Sequence, residues 1–361
     1  MTKHIAIVGG GFVGVELAKA LQHHANITLI EPKTHFVTTP AMVRALVQPA
    51  LLDRALVPYD KLLTRGTFVA ARAERVDATG VTLADGRHIA ADYIVVATGS
   101  TNGPAFKPGV RGIEGLRAMN GRIHAQVAAA SRIAIVGAGA VGTELAGEIV
   151  HFHPDKHVTL ISSDPTLFPS MPAKLGRSLL KQLHAAGVSV VLGAKAENLP
   201  SMTEPHAGAL RLSNGQEIAA DLIVPAVGSR ANSDLLASLP GAVKTTANRI
   251  RADAWMRPST LSNVFAAGDA VDVGDGMTIV AITRQLPWLK SALLALAAGE
   301  AIESRRPYTP WAAGKSPLIV PLGPHKGASH LILFTGGPIL TGVLKGKDVM
   351  VGKYRRLLRQ P

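Results

Sequence analysis

Apolar positions recur along this chain in two copies of one pattern. Ile5 to Ala18 (IAIVGGGFVGVELA) and Ile133 to Ala146 (IAIVGAGAVGTELA) agree at 11 of 14 positions, 128 residues apart. Each copy opens with a continuous apolar, β-branched run, which predicts a strand buried on both faces, and passes through G-x-G-x-x-G into a helical period. Ile27 to Glu31 (ITLIE) and Val158 to Ser162 (VTLIS) then predict a second parallel strand in each copy. Val81 to Ala91 and Leu210 to Ala220 alternate about Asp-Gly and Asn-Gly, the mark of a hairpin. Asp92 to Ser100 (DYIVVATGS) and Asp221 to Ser229 (DLIVPAVGS) predict closing strands that end in Gly99 and Gly228.

Asn263 to Val271 (NVFAAGDAV) predicts one more buried strand, with a Gly-Asp turn, that returns the chain to the first module. The second module is then an insertion in the first. Thr101 to Gly115, rich in Gly and Pro, and Ser229 to Leu239 are the predicted linkers. Leu286 to Ala298, which holds Pro287 and Lys290, reads as a buried or half-buried helix, and no window is expected to span a membrane. After about Arg305, short apolar runs at Pro317 to Leu322, His330 to Thr335 and Ile339 to Leu344 are the expected strands of a small third domain. A basic helix from about Val351 to Arg359 ends it. The expected fold is α/β: two Rossmann-like dinucleotide-binding domains, one over 1–108 and 230–304 and one over 109–229, plus a small α+β C-terminal domain over 305–361.

A strand running through G-x-G-x-x-G into a helix points to dinucleotide binding. Gly9 and Gly137 permit the tight turn, Gly11 and Gly139 let the backbone approach a pyrophosphate, and Gly14 and Gly142 let helix and strand pack closely. Phosphate then sits at the helix amino end, beside Phe12 in the first copy and Ala140 and Val141 in the second. Glu31 lies 22 residues after Gly9, where a carboxylate accepts hydrogen bonds from both ribose hydroxyls and repels a 2′-phosphate. Its counterpart is Ser162, so the second site is expected to take NADPH as well as NADH, with Arg177 and Lys181 as candidate cations.

Composition narrows the chemistry. The chain has no cysteine, which excludes a redox-active Cys pair, an iron–sulfur cluster and Cys-zinc sites, and leaves electron transfer to a bound organic cofactor. A net charge of +13, from 38 Lys+Arg against 25 Asp+Glu, attracts anions: NAD(P)H, anionic lipid or nucleic acid. The glycine motifs favour the first of these. His151, His153 and His157 cluster, but Pro154 breaks their spacing and no acids converge, so no metal is expected. No secretory signal and no N-myristoylation are expected, since Met1 to Gly10 reads as the first strand and residue 2 is Thr2.

Taken in order, the first G-x-G-x-x-G, Ala97-Thr98-Gly99, the second G-x-G-x-x-G and Gly268-Asp269 resemble the two-dinucleotide-binding-domain flavoproteins over nearly all of residues 1–302. That resemblance implies FAD at the first glycine loop, with Asp269 at the ribityl and phosphate region and Thr98-Gly99 beside the flavin. It also implies Lys33, His35 and Ala73 near the adenosine and pyrophosphate, and Gln285 at the start of a helix capping the flavin ring. Exchangeable NADH or NADPH belongs at the second loop, near Ser162 and Gly228. Without a Cys pair the thioredoxin-reductase and lipoamide-dehydrogenase branches fall away.

The closing stretch Leu344 to Gln360 (LKGKDVMVGKYRRLLRQ) resembles the ferroptosis-suppressor branch of the apoptosis-inducing-factor-like group, flavin-dependent NAD(P)H:quinone oxidoreductases. This implies Glu144 beside the flavin edge and nicotinamide, and Lys345 near the flavin. The pair would tune the flavin and deliver a proton as a quinone is reduced. Two alternatives stay open: a reductase of a ferredoxin- or rubredoxin-like carrier, and a flavin-bearing nucleic-acid-binding or scaffold protein. Tyr354, Leu357 and Leu358, with Lys353, Arg355, Arg356 and Arg359, suggest an amphipathic basic helix lying on an anionic membrane. The expected location is cytoplasmic, peripheral at the inner face of a membrane.

Overall fold

The structure, a computed structural model, describes residues 2–103, 106, 112–312 and 314–361. Part of the first predicted linker, 104–111 apart from Phe106, lies outside the described residues.

Each copy of the repeat builds a five-stranded sheet. In the first, Val264–Ala266, Tyr93–Val96, His4–Val8, Asn26–Ile30 and Thr67–Val69 lie side by side in that order, all parallel. In the second the order is Ser189–Val191, His157–Ile161, Arg132–Val136, Glu217–Pro225 and His206–Arg211, with only the last pair antiparallel. Ile5, Ala6 and Ile7, and likewise Ala134 and Ile135, are fully buried, as central strands with helices on both faces require. The late strand Val264–Ala266 completes the first sheet only after the second is finished, so the second module is inserted in the first. The chain leaves and returns through one ribbon, in which Ser100–Thr101 pairs antiparallel with Arg230–Ala231. The predicted linker over 229–239 is therefore ordered, and includes the short helix Asp234–Ala237.

The glycine loops are sterically determined. Gly9 and Gly137 hold φ of +108° and +112°. A Cβ on Gly14 would stand 1.8 Å from the Gly9 carbonyl oxygen, and one on Gly142 would stand 1.9 Å from that of Gly137. Helices Phe12–Leu21 and Ala140–Phe152 thus cross their strands at a distance only glycine allows.

The C-terminal segment corrects two expected strands. Leu318–Leu322 pairs with Lys326–His330, and only Thr335–Gly336 follows on that edge. The apolar run after His330 is a tight turn, with Ile332 at φ +66° and the Leu331 N–H donating to the Phe334 carbonyl. The run Ile339 to Leu344 is helical instead of extended: Pro338 opens helix Pro338–Thr341, and a π-turn over Gly342–Gly346 continues it. Short apolar runs suggest strands, but most of the apolar side chains in both runs are left outside the core.

Helix Ile279–Ala297 is long and apolar enough to cross a membrane, yet its Ile282, Leu289, Ala292 and Leu293 are buried in the first module's core. In the terminal helix Val351–Leu357 and just beyond it, Tyr354 and Leu358 are buried in that same core. Tyr354 stacks on Phe36 at 4.8 Å. The apolar face expected to meet a membrane is therefore covered by protein.

One buried ion pair ties the segments together. Arg44, on helix Thr39–Ala45, donates through Nε and Nη2 to both carboxylate oxygens of Glu148, at 2.9 and 2.8 Å, and through Nη1 to the Lys347 carbonyl at 3.2 Å. Their side chains are 3% and 2% exposed.

Arg44→Met strands the Glu148 charge and is expected to cost about 3–5 kcal/mol in urea unfolding, whereas Arg44→Met with Glu148→Leu recovers most of that loss. Gly14→Ala, forced against the Gly9 carbonyl, is expected to lower unfolding stability by about 2 kcal/mol or more.

Candidate functional site

The first glycine loop is braced from three directions. Glu31, at the end of its strand and 5% exposed, accepts from the Gly10 N–H at 2.8 Å and the Lys33 N–H at 3.0 Å. The Lys33 ammonium lies 2.5 Å from the same carboxylate, so Lys33 is tied to Glu31. Both Lys33 donors fall on Oε1, so it is Oε2, bonded to the Gly10 N–H alone, that keeps lone-pair capacity for a ligand hydroxyl. Tyr59 donates to the Gly10 carbonyl at 2.6 Å and stacks on Phe68 at 4.8 Å. Burial, with Glu31 close by, pushes the Tyr59 phenol well above its usual range, so it stays a donor. At Gly11 a Cβ would meet nothing within 4 Å, so the backbone there faces open space. Phe12 begins the helix with its ring edge against Phe36 and Tyr354. Ala73 opens strand Ala73–Asp77 of a separate antiparallel sheet, and His35 opens strand His35–Val37, where burial lowers its imidazole.

The Gly268-Asp269 turn sits against the first loop. A Cβ on Gly268 would lie 3.2 Å from the Val13 side chain. Asp269 accepts from the Ser100 hydroxyl at 2.6 Å, and its carbonyl accepts from Arg249 Nε at 3.2 Å. Gln285 does not begin a helix: that helix starts at Ile279, capped by the Thr278 hydroxyl. Gln285 lies buried two turns in, accepting from the Gly268 N–H at 2.8 Å and donating to Asp275 at 3.1 Å. Asp275 also takes the Tyr308 hydroxyl and the Trp311 N–H. Beside this turn the module crossing is clamped: the Thr98 hydroxyl donates to the Asn232 carbonyl at 2.7 Å, and Asn232 donates back to Thr98 at 3.0 Å and to Gly99 at 2.9 Å.

In the second copy, Gly139 also faces open space, and Ala140 and Val141 open the helix. Ser162 is buried, its hydroxyl accepting from the Asp164 N–H at 3.1 Å. Arg177 and Lys181 stand exposed on helix Ala173–Ala185. Gly228 holds φ +71° and faces open space.

Glu144 and Lys345 meet across 201 residues. The Lys345 ammonium lies 2.6 Å from Glu144 Oε1, with side chains 15% and 6% exposed. The π-turn aims the lysine, closed by the Lys347 N–H donating to the Gly342 carbonyl at 2.8 Å. It can press against the Gly323–His325 turn because Gly342 and Gly346 carry no side chain; a Cβ on Gly346 would stand 2.6 Å from the Pro324 carbonyl. Burial raises the Glu144 carboxyl above its ordinary range, Lys345 opposes that, and Glu148 one turn on adds to it. Glu16, at the same register in the first copy, is answered too: Lys353 Nζ and the Tyr354 hydroxyl both donate to its Oε1 at 2.8 Å.

Tyr59, Ser100, Asn232, Arg249, Asp275 and the Arg44–Glu148 pair were not foreseen. Only Glu148 carried a local signal, a second acid one helical turn after Glu144. Among the described residues no His, Asp and Glu group has metal-holding geometry.

Two models described as pyridine nucleotide-disulphide oxidoreductase match the chain, over residues 58–292 and 4–56. Apoptosis-inducing factor homolog B of Dictyostelium discoideum is 29% identical over 99% of this chain and 97% of its own length. Ferroptosis suppressor protein 1 of Homo sapiens is 26% identical over 99% and 96%. The sulfide:quinone oxidoreductase of Aquifex aeolicus superposes with a TM-score of 0.77 at 16% identity, over 99% of this chain and 91% of that one, and so shares the fold. Against two longer solved chains of the same fold, this chain spans 60% and 63% of their length. The duplicated glycine loops and the inserted second module have their counterpart here: the chain belongs to the pyridine nucleotide-disulphide oxidoreductase family, whose members bind FAD and use NAD(P)H, and does so without a cysteine of its own.

Proposed function

We propose that the protein is an FAD-dependent NAD(P)H:quinone oxidoreductase. The observation that carries this reading is the buried Glu144–Lys345 ion pair at 2.6 Å, in a chain with no cysteine. A quinone takes up two electrons and two protons, whereas a one-electron protein carrier takes up no proton. A carboxyl raised by burial and held against an ammonium suits the first task.

The first module fits FAD. Gly11 faces open space for a pyrophosphate, Glu31 retains acceptor capacity for a ribose, and the Gly268-Asp269 turn is fixed beside the same loop by Arg249 and Gln285. The second module fits an exchangeable nicotinamide dinucleotide at Gly139 to Val141, with Ser162 in place of an acid that would repel a 2′-phosphate. The functional division follows the repeat: 1–108 with 230–304 for FAD, 109–229 for NAD(P)H, and 305–361 for the acceptor side. Bound flavin supplies the two-electron chemistry that joins nicotinamide to acceptor. Glu144 and Lys345 hold a charge and a proton at the junction, and Arg44 fixes Glu148 so that it does not compete for Lys345.

Steady-state oxidation of NADH and NADPH is expected to accelerate with a soluble ubiquinone or menaquinone analogue far more than with a ferredoxin or rubredoxin. Efficient reduction of the carrier with quinone inert would overturn the reading. Glu144→Gln is expected to lower quinone turnover about a hundredfold with flavin content unchanged.

A further inference from the structure

Eight large hydrophobic residues are exposed among the described residues, and six of them fall within thirteen positions: Ile332, Leu333, Phe334, Ile339, Val343 and Leu344. Leu333 is 91% exposed and Ile339 85%. A soluble surface scatters such residues singly, and a cluster marks an interaction site.

Their grouping follows from the local structure. The turn after His330 puts Leu333 and Phe334 at its tip, where the chain reverses into strand Thr335–Gly336. In the following helix Leu340 and Thr341 turn inward: a Cβ on Gly336 would lie 2.7 Å from Leu340 Cδ2, and the Thr341 hydroxyl is 2.7 Å from that of Ser329. Ile339, Val343 and Leu344 are left on the outer side. The next residue, Lys345, points the other way, to Glu144. The apolar side and the Glu144 ion pair therefore stand back to back on one helical turn.

Charge selects the partner. From Ser304 to Lys347 the chain has no Asp or Glu and six Lys or Arg, in a stretch bounded by Glu303 and Asp348. Lys326 and Lys347 are exposed at the margin of the apolar group, since Gly342 and Gly346 pack on the Pro324–His325 turn that precedes Lys326. Apolar tips with exposed lysines, in a stretch free of Asp and Glu from Ser304 to Lys347, suit an anionic bilayer, where the tips enter the acyl boundary and the lysines meet head groups. A second copy would set two basic rims against each other. The terminal helix offers no rival surface, because Tyr354 and Leu358 are buried and Lys353 is held by Glu16.

We propose that residues 331–347 form a docking surface for an anionic lipid bilayer, with Leu333 and Ile339 inserted and Lys326 and Lys347 at the head groups. The choice of a lipid partner rests in part on the quinone reading, since a quinone dissolves in the bilayer; binding is read without turnover, so the two ideas fail separately.

The full chain is floated with vesicles of phosphatidylcholine alone and of phosphatidylcholine mixed with phosphatidylglycerol. It is expected to float with the mixed vesicles, less so at raised salt. Leu333→Asp with Ile339→Asp should lower partitioning at least about tenfold while leaving the thermal unfolding midpoint unchanged. Arg355→Glu with Arg359→Glu, on the terminal segment, should retain it. Equal flotation of the Leu333/Ile339 variant overturns the proposal, as does failure of the wild-type chain to float. So does a dimer in sedimentation velocity that the same variant dissolves, which would assign this face to a second copy.

Discussion

Two carboxylates one helical turn apart, Glu144 and Glu148, are buried on the second glycine-loop helix, and neither could stay there charged without a cation brought from far along the chain. Lys345 answers the first and Arg44 the second. Arg44 belongs to the first module and Lys345 to the C-terminal segment, so this one helix face forces three parts of the chain to meet. Strand Leu318–Leu322 lies against the same helix at Gly147, where a Cβ would stand 2.5 Å from Leu322 Cα. Closure of the junction is thus a condition for burying these charges, and the site is assembled by the requirement that stabilises it.

The repeat is symmetric in register and asymmetric in use. Glu16 and Glu144 are equivalent positions, and each is met by a lysine from the C-terminal segment. The Glu144 side chain is 6% exposed and that of Glu16 27%, so the carboxyl group of the second copy is the more desolvated. The two strand ends differ in the same sense: Glu31 is a charged anchor bonded into its own loop, and Ser162 is a neutral hydroxyl. On the proposed reading, the first copy holds its dinucleotide and the second exchanges it.

Much of this was legible in the sequence, because glycine loops, buried strands and Asn-Gly or Asp-Gly hairpins are determined within a few residues of themselves. The insertion follows from the repeat and the late run Asn263 to Val271, whereas the order of strands within each sheet, with Thr67–Val69 and Ser189–Val191 at the edges, does not. The C-terminal runs were misread for a physical reason: a short apolar stretch shows that apolar surface exists, but its periodicity cannot show whether anything will cover it. His330 to Thr335 and Ile339 to Leu344 turn most of their apolar residues outward, and local composition does not distinguish that from a strand. Gln285 lies inside its helix because Thr278 caps it earlier and the helix runs on through Pro287. Tyr59, Arg249 and Asp275 carry no local signal because their partners lie tens of residues from them and, in some bonds, on loop backbone.

The central claim is that the two glycine loops are unequal, the first holding a resident flavin and the second an exchangeable nicotinamide. The most direct test is to desalt the purified chain, denature it, and quantify every dinucleotide released per polypeptide. One FAD per chain with no nicotinamide dinucleotide is the predicted result. Two equivalents of FAD, or nicotinamide dinucleotide retained in place of FAD, would contradict it.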